Sequence, residues 1–218
     1  MKNAFLGISE QPLFTLFSAI YPQDRAEALA SGLLKSYGSL AGILKINPEV
    51  LEADIGREAA LYLRLSLSLF IRSITERTQI GDIVTEAVLA RHFSAFYADA
   101  AEEIVCAVLL DREDALLAIH RVAVGSADAS SFQPRQVLEL AVRAKANGVI
   151  LTHNHPGGTL TASVSDKKMT EAVATALEAA RIRFLGHYIF ADTGFSRIGD
   201  EDASADAPAP SLQSKEIR

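Results

Sequence analysis

His153-Asn-His155-Pro-Gly-Gly-Thr-Leu-Thr-Ala-Ser163-Val-Ser-Asp166 is the stretch on which the reading of this chain turns. The run before it, Gly148-Val-Ile-Leu-Thr152, is apolar and β-branched and is bounded by Asn147-Gly148 and Pro156-Gly157. Those are the marks of a short buried strand. His153 and His155 sit just past its expected end. Alternate residues of an extended backbone point to the same side, so the two imidazoles converge on one spot. Pro156-Gly157-Gly158 then stops the ladder and turns the chain. Ser163 and Asp166 follow at the start of a helical run. A strand end thus delivers two nitrogen ligands and a helix start one carboxylate. Two His and one carboxylate, with a fourth position open to water, form a catalytic zinc set. Ser163-x-x-Asp166 is equally a helix-capping pair, with Asp166 at the positive end of the helix dipole. One helix start can serve both purposes.

The same run, His-x-His, seven residues, Ser, two residues, Asp, resembles the JAMM (MPN-plus) metalloprotease motif. Within that superfamily, His153-Asn-His-Pro and the chain around it look most like the RadC family. The resemblance covers about residues 100 to 199 and extends more weakly toward the N-terminus. It implies an α/β fold in which a mixed β-sheet is flanked by helices, a JAMM or cytidine-deaminase-like α-β-α sandwich. It implies Zn2+ held by His153, His155 and Asp166, and a water activated toward an amide or isopeptide bond. The substrate would then be a peptide or an isopeptide-linked protein.

A general base must take the water's proton and pass it to the leaving amine. No Glu lies between His153 and Asp166, so it comes from elsewhere. In JAMM proteins it is a Glu just before the first core strand, a place that Glu103 fits here. Glu102 is adjacent, and spacing does not separate the two; on an extended segment they face opposite sides, so only one can serve. The pair also reads as solvated acids at a strand start. The resemblance gives Ser163 the task of holding the oxyanion that forms at the carbonyl. Asn154 should point away from the two histidines and bond the loop. Three positions depart from the RadC pattern: Gly157 for Ser, Ala162 for Pro, and Gly186 for the Asp of an Asp-His pair. The last removes any support that Asp gives a metal ligand.

Composition bounds the rest. The 218 residues are 49% apolar and 22% charged, enough for a globular core. Cys106 is the single cysteine, so no internal disulfide forms, which fits a reducing compartment; it lies in an apolar run and reads as a core residue. The N-terminus has too short an apolar stretch for a signal peptide. No run reaches the roughly 18 apolar residues of a membrane span. A soluble cytoplasmic protein is the expectation. The net charge of −6 argues against broad nonspecific nucleic-acid binding.

Three regions are expected: a helical N-terminal domain over 1–82, the metal-binding domain over 83–199, and a disordered, Pro-Ala-rich tail over 200–218. The pattern predicts helices over Pro12–Ile20, from a cap at Asp24 through Lys35, over Leu40–Leu44 behind Ser39, from Asn47-Pro48, and over Arg57–Thr78. It then predicts a helix Ile83–Phe96, a hairpin Ile104–Leu110 with Ala115–Val124, a loop Gly125–Gln133, and helices Pro134–Ala146 and Ser163–Ala180. Closing strands Ile182–Phe190 and Phe195–Ile198 end the domain. The N-terminal order also looks like the RadC helix-hairpin-helix, which grips DNA phosphate with the N–H groups of a Gly-x-Gly turn. This chain has Asp54-Ile55-Gly56 there. A carboxylate repels phosphate, and residues 1–82 hold eight Lys or Arg against nine Asp or Glu. Weak DNA binding at most is expected. Three functions stand at this point: a zinc hydrolase, a DNA-repair-associated protein, and an interaction domain whose metal is only a staple.

Overall fold

The computed structural model describes residues 10–125, 132–156 and 158–199. The segment 1–9, most of the predicted loop after Gly125, Gly157 and the predicted tail lie outside the described residues. The chain divides into two compact units, Met1–Ser73 and Ile74–Arg218.

The first unit is helical. Helices α1 (Glu10–Ser18), α2 (Gln23–Tyr37), α3 (Leu40–Leu44) and α4 (Pro48–Ile55) lead into α5 (Arg57–Thr75). Ser39 caps α3 by accepting from the Gly42 N–H, and Asn47 caps α4 by accepting from Glu49. The expected cap at Asp24 is absent. Pro22 holds that position, α2 starts at Gln23, and Asp24 lies inside the first turn. Its carboxylate still favours the helix dipole. Leu13, Phe17, Ala30, Leu33, Leu51 and Leu63 form this unit's core.

The second unit is a five-stranded mixed sheet in the order β2-β1-β3-β4-β5. Its strands are β1 (Ile104–Leu110), β2 (Leu116–Val124), β3 (Gly148–Asn154), β4 (Arg183–Ala191) and β5 (Gly194–Arg197). Pairing is antiparallel except between β3 and β4. A parallel pair needs a crossover, and α8 (Val164–Ala179) supplies it. Helix α6 (Glu86–Phe96), capped by Thr85, precedes the sheet, and α7 (Pro134–Arg143) joins β2 to β3. The segment before α6 is tied to the sheet, since Gly81 N–H donates to the Leu116 carbonyl and Val84 N–H to that of Asp114.

Alternation along β1 and β3 splits the core into two layers. Val105, Ala107, Leu109, Val149 and Leu151 pack with Val137 and Ala141 of α7 and Val173 and Leu177 of α8. Cys106, Val108, Leu110 and Ile150 pack with Leu89 and Phe93 of α6 and the nearby Tyr97. Helices therefore cover both faces, as expected. The central strands are buried at nearly every position, which is why their sequences run apolar without alternation.

The metal strand is longer than its apolar run predicts. β3 continues through His153 and Asn154 because His153 pairs with Val105 on one side and Ile189 on the other. Neighbouring strands, rather than local propensity, set that end. Among the described residues, no helix is long and apolar enough to cross a membrane.

Candidate metal centre

Asn154 ends β3, with His153 just before it and His155 just after it. The His155 backbone N–H donates to the Phe190 carbonyl of β4, which holds the strand direction past its formal end. Both imidazoles accordingly emerge on one side: their Nε2 atoms are 2.9 Å apart. Asp166 arrives from α8, with Oδ1 3.3 Å from His153 Nε2 and Oδ2 3.4 Å from His155 Nε2. All three side chains are buried. Their ligand atoms lie within 4.8 Å of one another, a grouping that could hold a metal ion. Two imidazole nitrogens and one carboxylate suit zinc, and they leave a coordination position for water.

The start of α8 fixes the carboxylate. Ser163 Oγ accepts from the Asp166 N–H at 3.1 Å, and Asp166 Oδ2 accepts from the Ser163 N–H at 2.8 Å. This reciprocal pair is a capping box. Capping and the metal grouping therefore coexist: Oδ2 takes the cap bond while both oxygens face the histidines. Burial alone raises a carboxyl pKa, but the neighbouring His153 and the bonds at Ser163 outweigh it and hold Asp166 well below the usual range. The group is a carboxylate at neutral pH.

Both histidines are held from behind. His155 Nδ1 lies 2.9 Å from the Thr159 carbonyl oxygen. His153 Nδ1 lies 2.8 Å from Nε2 of His187, a fully buried residue of β4. His187 Nδ1 lies 2.8 Å from Thr170 Oγ1 on α8. Burial, and then the neighbouring His153, push the His187 pKa well below its ordinary value. Neither Thr159, Thr170 nor His187 had been given a supporting task from the sequence. For His187 a signal existed, a lone imidazole inside the apolar strand Phe-Leu-Gly-His-Tyr-Ile-Phe. Thr159 and Thr170 carried none.

The departure at Gly186 leaves no gap around His153. Gly186 sits at a register shift between β3 and β4 with φ of +140°, and a Cβ there would meet Arg197 Nε at 2.7 Å. Only glycine fits without moving Arg197, and His187 itself reaches the ligand.

Asn154 does not bond the loop. Its Oδ1 accepts from the Ile104 N–H at 2.7 Å, and its Nδ2 donates to the Glu102 carbonyl at 3.0 Å. The residue between the two histidines thus clasps the backbone on both sides of Glu103. Val105 pairs with His153, so Glu103 lies two residues before the strand position beside the first ligand. Glu103 is half-buried and Glu102 exposed.

Cys106 is buried in the sheet, where burial pushes its thiol up to about 11. It is a core residue and not a nucleophile.

Residues 83–202 match the family described as the RadC-like JAB domain. A UPF0758 protein of Aeromonas hydrophila subsp. hydrophila is 30% identical over 190 residues, 85% of each chain. A UPF0758 protein of Tolumonas auensis is 32% identical over 167 residues, 75% of each chain. One from Pseudoalteromonas atlantica is 30% identical, again over 75% of each.

Proposed function

This chain belongs to the RadC-like JAB-domain family, and on that premise we propose that it is a zinc-dependent hydrolase of amide or isopeptide bonds. The observation that carries the reading is the set of acceptors at His155. A carbonyl oxygen only accepts, so the contact with Thr159 puts the proton on His155 Nδ1. Nε2 of the neutral ring is then bare. It lies 2.9 Å from His153 Nε2 and 3.4 Å from a carboxylate oxygen. Acceptors crowded together in a buried place are stabilised by a cation between them.

Zinc bound there supplies Lewis acidity toward a carbonyl oxygen and acidifies water toward a pKa of about 7. The chain's residues do the rest. Glu103, half-buried just before β1 and flanked by the two backbone bonds of Asn154, takes the proton of the attacking water and returns it to the leaving amine. Ser163 Oγ already accepts from the Asp166 N–H, so its O–H proton serves as donor to the oxyanion. Asp166 is kept ionised and aimed by the capping box, as a ligand must be.

The test has two arms. Elemental analysis after purification without chelator should give roughly one zinc per chain in the wild type and little in His155→Ala. A panel of isopeptide-linked and plain peptides is then assayed with Glu103→Gln, which keeps the shape but cannot take the proton. Hydrolysis should fall at least ~10²-fold while zinc is retained. Hydrolysis that survives chelation, or Glu103→Gln at wild-type rate, would refute the proposal.

A further inference from the structure

We propose that Thr170 and His187 are positioning residues that fix the tautomer of His153 so that its bare nitrogen faces the metal. The inference rests on the metal reading given above and extends it to two residues that do not touch the ion.

One hydrogen-bonded chain links α8 to His153, and its fixed end is the Asp166 backbone. The Asp166 backbone carbonyl can only accept. Thr170 Oγ1 lies 2.6 Å from it, too close for two oxygens without a proton between them. The Thr170 hydroxyl therefore donates to that carbonyl. By itself this is the ordinary bond of a helical Thr to the turn before it. The same oxygen, however, lies 2.8 Å from His187 Nδ1. Having spent its proton, Thr170 can only accept there, so His187 Nδ1 carries the hydrogen. His187 is neutral when its other nitrogen accepts, and Nε2 then accepts a hydrogen bond from the His153 Nδ1–H across 2.8 Å. His153 Nε2 is left bare, pointing at His155 and Asp166.

Each link has one direction, and the direction is set at the Asp166 carbonyl. The residue whose side chain is the third ligand is thus the residue whose backbone orients the first. Sheet and helix make this closure. β3 and β4 are parallel, with Leu151 beside His187 and His153 beside Ile189, and α8 packs over that face with Met169 and Val173 in the core. His187 fills the layer between strand and helix, fully buried. Without the Thr170 hydroxyl, the His187 ring has no reason to keep its proton on Nδ1. The other tautomer would donate to His153 Nδ1 and force a proton onto the nitrogen that faces the metal. Partners of this kind typically change metal affinity 10- to 100-fold.

The test uses the full chain. Thr170→Val has the same shape without the hydroxyl, and Thr170→Ser keeps it. Zinc affinity is measured by chelator competition at one pH, and imidazole nitrogen NMR of the metal-stripped protein reports which nitrogen of His187 carries hydrogen. The expectation is about tenfold weaker zinc binding for Thr170→Val, with the His187 proton moving from Nδ1 to Nε2, and both restored in Thr170→Ser. A Thr170→Val protein with wild-type affinity and an unchanged His187 tautomer overturns the proposal, as does a Thr170→Ser protein as weak as Thr170→Val. His155→Ala is the control. If it keeps full zinc, the metal reading itself fails, and the His187 tautomer in wild type and Thr170→Val still decides the hydrogen-bond chain on its own.

Discussion

Removing the Asn154 side chain should destabilise the second unit and slow hydrolysis through Glu103 while leaving the metal bound. In Asn154→Ala, the half-buried Ile104 N–H loses its 2.7 Å acceptor and the exposed Glu102 carbonyl its 3.0 Å donor. An N–H left unsatisfied away from water costs about 1–3 kcal/mol, whereas an exposed carbonyl recovers most of its bond from water. The sum is about 2 kcal/mol. For a chain of this size each kcal/mol moves the melting midpoint by roughly 2–4 °C, so a fall of about 4–8 °C is expected. The measurement is calorimetric unfolding of metal-stripped protein, since a bound ion would mask the loss by mass action. Asn154→Asp keeps the acceptor for Ile104 but sets a carboxylate against the Glu102 carbonyl, so it should not rescue. The functional half is a double-mutant cycle. If Asn154 acts by placing Glu103, then Asn154→Ala lowers hydrolysis in the wild type and adds nothing in Glu103→Gln. A midpoint within about 1 °C of wild type, or full additivity in the cycle, would refute the reasoning.

Four further outcomes are expected. Glu102→Gln should leave hydrolysis at its wild-type level, because Glu102 is exposed while Glu103 is half-buried; a loss confined to Glu102→Gln would reverse the assignment. Asp166→Asn should lose zinc, since a neutral amide is a poor ligand, and elemental analysis that finds the metal unchanged would sink the ligand set. His92 and His187 are both held below their ordinary pKa, chiefly by burial. The unfolded chain then takes up protons below about pH 6.5 that the native state refuses, so their stability is present above that pH and lost as pH falls through it. The melting midpoint of metal-stripped protein should drop from pH 7.5 to 5.5, and a flat or rising midpoint would contradict this. DNA binding in a gel shift at physiological salt should be no tighter than the nonspecific range of about 10⁻⁶ M. Asp54, which already accepts from the Tyr37 hydroxyl, adds a negative charge beside the Gly56 turn, and a salt-dependent nanomolar complex would count against that expectation.

What the sequence made legible follows from how far apart the cooperating residues lie. His153, His155, Ser163 and Asp166 fall within one strand end, one turn and one helix start, so period-2 alternation and a capping pair are enough to bring them together. The buried strands read as apolar runs for the same local reason. Differences arose at element ends and wherever a distant partner decided. β3 outlasts its apolar run because Val105 and Ile189 flank His153. Asp24 lost its cap position to Pro22, a shift of two residues that propensity does not resolve. Asn154 was expected to turn to its own loop, but the antiparallel register of β1 and β3 presents it with a backbone fifty residues earlier in the chain.

The support for His153 is the strongest case. It needs His187, thirty-four residues on, and Thr170, seventeen residues before His187. Neither spacing has meaning until the parallel pairing of β3 with β4 and the crossover by α8 are known. A ligand set can be written into a short motif because metal ligands need only converge. The proton positions that make those ligands competent depend on what stands behind them, and that is a property of the folded layers. The helices and strands were therefore readable from local pattern, the fold class from the resemblance that the motif carries, and the metal grouping from local spacing. The tautomer of His153 is readable only from the sheet order, which is why a substitution at Thr170, outside the motif, tests the centre more sharply than another change within it.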